Sequence, residues 1–237
     1  MRRYFLAPHV YSCLIEGHAI FFDLKSDRFS ALDSSSVSLL ENAVDGWPGG
    51  LCADPTADEE IDATACLGEL VSQGLLTEHG GVGQSANQIS LTPARRDARS
   101  VQTPARMTRS LPIFRFFVAW TQMWWMTRFW SVERIVAHVR ERKASARPIA
   151  QEVNEDDYLD AVQDFRQCQR ASWLRSGTGI REAVCLIQFL FGLGLSPTWV
   201  FGVRLKPFAA RSWIQADDLT LNIPAEQARQ FTPILVV

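Results

Sequence analysis

Chemistry in this chain could start from the thiol of Cys185, which follows Arg181 and Glu182 and opens the apolar run CLIQFLFGLG. A thiol near a helix N-terminus has a lowered pKa and can act as a nucleophile. Thr178 is a candidate cap for that helix, and a start there would put Cys185 well inside it. The competing reading is an inert core thiol, since free cysteine is among the most often buried residue types. A cysteine nucleophile also needs a base. The stretch RLKPFAARSWIQADDLTLN, from Arg204 to Asn222, reads as a hairpin able to present one. Two places before Trp213, however, stands Arg211, and no His follows His138. Arginine stays protonated in proteins, so it can neither take the thiol proton nor return one to a leaving amine. It can only favour a thiolate electrostatically. His138 reads as a solvated helix-face residue; His9, His18 and His79 lie far off in the first 80 residues. Asp217 and Asp218 read as turn residues.

The elements that must position these groups fall into two modules. In residues 1–80, VYSCLIEG, AIFFD and RFSAL form three short strands in series, an antiparallel meander. DSSSVSLLENAV then begins with good N-caps and carries Val37, Leu40 and Val44 at helical spacing. DEEIDATACLGELVSQGLL places acids in its first turn, faces Leu67, Leu70 and Val71 to the core and ends at Gly74. A short wing follows at LLTEHGG. Residues 81–111 lack periodicity and read as a flexible basic linker. Residues 112–237 begin helical: Val132, Ile135, Val136 and Val139 mark one face, and Tyr158, Val162, Phe165 and Cys168 another. A third helix contains Cys185. The β-type runs WVFGVRL, RSWIQ, LTLN and TPILVV come last, so the fold class is α+β, helices followed by an antiparallel sheet.

Charge separates the same modules. Residues 1–80 hold 4 Lys+Arg against 13 Asp+Glu, net −9; residues 81–148 hold 12 against 3, net +9. Net −9 disfavours nucleic-acid binding by the first module, because phosphate neutralisation needs Lys and Arg. Five Cys without a CxxC pair indicate free thiols in a reducing, cytoplasmic compartment and no zinc site. There is no GxxxxGK(S/T), GxGxxG or HExxH motif, so no metal or other cofactor is expected. IFRFFVAWTQMWWMTRFW is short and carries Arg115 and Arg128, and VCLIQFLFGLGLSPTWVFGV is broken by Gly, Ser and Pro. A spanning helix needs about 20 uncharged apolar residues, so no integral membrane segment is expected. Peripheral membrane contact by the Trp-rich stretch stays open.

The ordered set C-L, apolar helix, V-F-G-V-R, P-F, x-x-W and closing F-T-P-I-L-V resembles the C-terminal domain of lasso-peptide leader peptidases, the B proteins of that pathway. APHVYSCLIEGHAIFFDLKSDRFSALD resembles the peptide-recognition element of the same pathway. The resemblance runs end to end apart from the linker and much of 113–176. It implies a transglutaminase-like, papain-type fold with a Cys–His–Asp triad, which removes a precursor's leader before an asparagine-synthetase-like cyclase closes the ring. Cys185 matches the nucleophile. Arg211 stands at the family's His position; Asn222 keeps the family's Asn, and Ile223 stands at the Asp. The alternative is an inactive scaffold that binds leader for the cyclase. The resemblance also implies a winged helix-turn-helix-like first module, 1–80, taking the leader as an added strand. The edge would be Phe29, Ser30, Ala31 and Leu32, against a helix wall near Ala63 to Gln73 that includes Leu67 and Leu70. An ordinary winged helix with Phe29 and Leu67 buried is the other reading.

Overall fold

The computed structural model describes residues 3–48, 57–86, 89–100, 111–145, 154–171 and 179–237. The chain divides into two compact units, Met1–Ser90 and Leu91–Val237.

Unit 1 opens with β1 (Phe5–Leu6), followed by β2 (Val10–Ile15), β3 (His18–Asp23) and β4 (Arg28–Leu32), which form an antiparallel sheet in that order. Glu16 and Gly17 both take positive φ, at 49° and 77°, so a two-residue turn twists with the strands and sets the β2–β3 register. At the next turn the Asp23 carboxylate accepts from the backbone N–H groups of Lys25 and Ser26. Helix α1 (Ser34–Ala43) starts where Asp33 accepts from the Ser36 N–H at 3.1 Å. Helix α2 (Ala57–Ser72) ends before Gly74, whose φ is +74°. Then β5 (Leu76–Thr77) pairs antiparallel with β1, where a wing was expected. Phe21, Leu40, Trp47, Leu67 and Leu70 share one core.

Unit 2 begins with β6 (Arg96–Asp97), then four helices: α3 (Leu111–Phe129), α4 (Val132–Ser145), α5 (Glu155–Ala171) and α6 (Ile180–Gly192). The strands β7 (Thr198–Arg204), β8 (Ala209–Ala216) and β9 (Leu219–Thr220), the short α7 (Ala225–Ala228) and β10 (Thr232–Val236) complete it. The sheet order is β10-β7-β8-β9-β6, antiparallel except for β6 beside β9. The class is mixed α+β.

The segment expected as a linker, 81–111, is structured where it is described. Gln84 exchanges backbone bonds with Leu6 at 2.9 Å in both directions, and its side-chain amide donates to Val10 O. Beyond Ser90 the chain joins the other unit. Ala94 enters an apolar cluster with Val200, Trp213 and Phe231, and the Gln215 amide donates to Thr92 O at 2.6 Å. A strand of two charged residues, between Arg95 and Ala98, has too little apolar pattern to read from sequence; backbone pairing with β9 and these side-chain anchors hold it. Residues 101–110 of that segment lie outside the described residues.

Within the sheet, Gly202 of β7 lies under the Trp213 ring. A Cβ there would sit 2.6 Å from one ring carbon and 3.0 Å from the Phe231 Cβ, so only glycine lets the two strands and this indole close together.

Candidate functional site

The sequence placed a nucleophile, a base position and an orienting pair on one helix and one hairpin. The structure gathers parts of these at the N-terminal end of α6. That helix begins at Ile180, capped by Gly179 with φ +65° and no side-chain cap bond; Thr178 lies outside the described residues. Cys185 is its sixth residue and is 0 % exposed. Burial, reinforced by the negative field of Glu182 one turn earlier, pushes the thiol up to about 12. The lowered thiol pKa considered from sequence is therefore reversed. At this depth the first-turn N–H groups are too far away to offset the loss of water.

Arg211 is exposed on β8, opposite Gly202. Its guanidinium carbon lies 5.9 Å from the Phe231 ring centroid. Its charge acts on Glu182; Glu182 and burial, not Arg211, govern Cys185. The electrostatic support for a thiolate considered from sequence therefore does not govern Cys185.

Asn222 is buried, and its side-chain oxygen accepts from the Ile214 N–H at 2.9 Å, while the Leu221 N–H donates to Ile214 O. The amide side chain thereby continues the β8–β9 ladder after β9 has turned away. Ile223 is 6 % exposed and packs with Trp213, Ala225 and Phe231 in an apolar cluster. A hydrocarbon there can orient no base.

Two residues to which the sequence reading gave no role, Glu182 and Arg166, complete the site. Glu182 is half-buried, and burial raises its carboxyl pKa against the pull of Arg99, Arg166 and Arg211. Arg166 of α5 donates to Ala98 O at 2.9 Å and to Leu221 O at 3.3 Å, tying the helix to the ends of β6 and β9. Burial is the main cause that lowers its pKa. The only advance signal was the RE pair before Cys185; nothing in the helical pattern around Phe165 marked Arg166 as inward-reaching.

His138, the one histidine of unit 2, lies on α4. Its ring meets Trp130 edge-on at 5.4 Å, and its pKa is lowered by burial and by Arg142, with Glu141 opposing. Arg142 in turn donates to Gln188, one turn beyond Cys185 on α6, at 2.6 Å. Asp218 is more than a turn residue, since it pairs with Arg96 at 2.6 Å; Arg96 also pairs with Glu155.

In unit 1, β4 stands last in the sheet order β2-β3-β4 among the described residues. Ser30 and Ala31 are exposed, Phe29 and Leu32 half-buried, with Phe29 stacked on Phe22 at 4.4 Å. Leu67 and Leu70 are core residues of the unit. Among the described residues no group of His, Cys, Asp and Glu is placed to hold a metal ion.

Residues 119–236 match the family model described as the transglutaminase-like superfamily, and this part of the chain is a transglutaminase-like domain. No curated protein and no solved structure matches the chain.

Proposed function

We propose that this protein acts in lasso-peptide maturation as a leader-binding scaffold: it captures the precursor's leader and presents the peptide to an asparagine-synthetase-like cyclase without cutting it. The observation that carries this reading is the state of Cys185. The thiol is fully buried and held at about 12, with Arg211 and Ile223 at the positions where the resembled family has its base and orienting acid. Cysteine peptidase chemistry needs a thiolate, a group that returns the proton, and access for a carbonyl carbon. A transglutaminase-like domain supports a peptide-handling role without these.

Leader capture is assigned to unit 1, as a winged helix-turn-helix-like recognition element. β4 stands last in its sheet, and a strand in that position can take an added strand by backbone pairing, with Phe29 and Leu32 setting side-chain preference beside a core that includes Leu67 and Leu70. Hydrogen exchange of the full chain with and without a precursor leader peptide tests this. Slowed exchange over Arg28–Leu32 is expected; binding that leaves those amides unchanged would sink the edge-strand assignment.

Cleavage by Cys185 is the second reading, favoured by the location of that thiol on α6, which packs against β8. It requires a base from elsewhere and an opening of the α6 end.

A further inference from the structure

Helix α3 is apolar on both faces. Phe116, Ala119, Met123 and Met126 are buried, and Phe116 meets Phe165 of α5 at 5.4 Å. On the other side Ile113, Phe114, Phe117, Trp124, Trp125 and Phe129 are each at least half exposed. At 3.6 residues per turn these six fall on one half of the helix, opposite the buried four. The stripe runs about 24 Å, at about 1.5 Å per residue over Ile113–Phe129. A soluble helix ordinarily turns a polar face outward, so a continuous aromatic face marks an interaction surface.

Charge narrows the occupant. No Asp or Glu occurs between Asp97 and Glu133, while Arg115 and Arg128 lie on the helix itself. Arg128 is exposed within the stripe, 5.4 Å from the Phe129 ring centroid, and Arg134 lies 4.5 Å over Trp130 just beyond its end. A second copy would bring the same arginines and no acid to meet them. Trp and Phe beside Arg are the side chains that settle at the headgroup level of a bilayer, and no helix among the described residues is long and apolar enough to cross one.

We propose that the exposed face of α3 docks in the plane of an anionic membrane surface, its aromatic side chains entering the headgroup boundary and Arg128 and Arg134 meeting lipid anions. The test is flotation of the full chain with vesicles of phosphatidylcholine alone and of phosphatidylcholine mixed with phosphatidylglycerol. Flotation is expected with the anionic vesicles only, weakening as salt rises. Arg128→Gln should reduce partition about fivefold, and Trp124→Ser with Trp125→Ser should abolish it with the thermal unfolding curve unchanged. Phe114→Ser, at the most exposed position, gives an independent reduction should the double variant misfold. Three results would overturn the proposal: no flotation with anionic vesicles, equal flotation with both vesicle types, or undiminished flotation of Arg128→Gln and Phe114→Ser. A dimer in light scattering that Phe114→Ser dissolves, without vesicle binding, would assign the face to a second copy instead.

Discussion

Glu182 lies one helical turn before Cys185 on α6, and its carboxylate adds to burial in holding the thiol protonated. A catalytic thiol needs the opposite environment, a nearby cation and partial access to water. The cations are present, but they are arrayed around the carboxylate: Arg99, Arg166 and Arg211 all act on Glu182.

Alkylation of Cys185 in the native chain should therefore be slow at neutral pH and rise without a plateau through pH 9. Glu182→Gln removes the smaller of the two causes, so the thiol should titrate lower yet remain protonated at pH 7. Mass spectrometry of the Cys185 peptide after timed alkylation reads this. A plateau near neutrality in the unmodified chain would contradict the buried, protonated thiol.

Alkaline instability follows from the same burial. Cys13 and Cys185 are both pushed up to about 12 from an ordinary value of 9.0. An acid whose folded pKa is raised contributes stability that is fully present below its unfolded value and is lost as pH rises toward the folded value. Urea unfolding midpoints should hold steady to about pH 9 and fall between about 9 and 12. In Cys185→Ala the slope of that fall, rather than the neutral-pH midpoint, should be shallower for unit 2.

Asn222 separates a structural from a catalytic role. Asn222→Ala leaves the buried Ile214 N–H without its acceptor and should cost about 1–3 kcal/mol in urea unfolding. A residue kept only to orient a base would be replaced with no measurable loss.

The two triad positions should respond unequally. Arg211 is exposed, so Arg211→His should change stability within about 0.5 kcal/mol, and alone it should restore no cleavage because Cys185 remains covered. Ile223→Asp puts an unpaired carboxylate into the Trp213–Phe231 cluster and should cost about 3–5 kcal/mol. Circular dichroism melts of the two variants give the comparison; a stable Ile223→Asp would mean that this position is open to water.

The strands, the Asp33-capped helix and the Cys185 helix were legible because alternation, a cap residue and a long apolar run are local patterns. The β8–β9 hairpin was legible from its turn residues. What escaped was held by distant partners. Arg96–Asp97 is a strand only because Asp218 and Thr220 accept its neighbours' N–H groups, and Arg166 reaches inward only because Ala98 and Leu221 present carbonyls there. Cys185 was correctly placed on an apolar helix. Its protonation state depended on where the helix starts, and a glycine cap carries no side chain to mark that start.

The most direct measurement is mass spectrometry of a cognate precursor incubated with this chain and its cyclase, beside the Cys185→Ala variant. The scaffold reading predicts that the leader binds, that the chain produces no leader fragment, and that Cys185→Ala behaves as the unmodified protein does. A single leader fragment that disappears with Cys185→Ala would contradict it and make this thiol a working nucleophile.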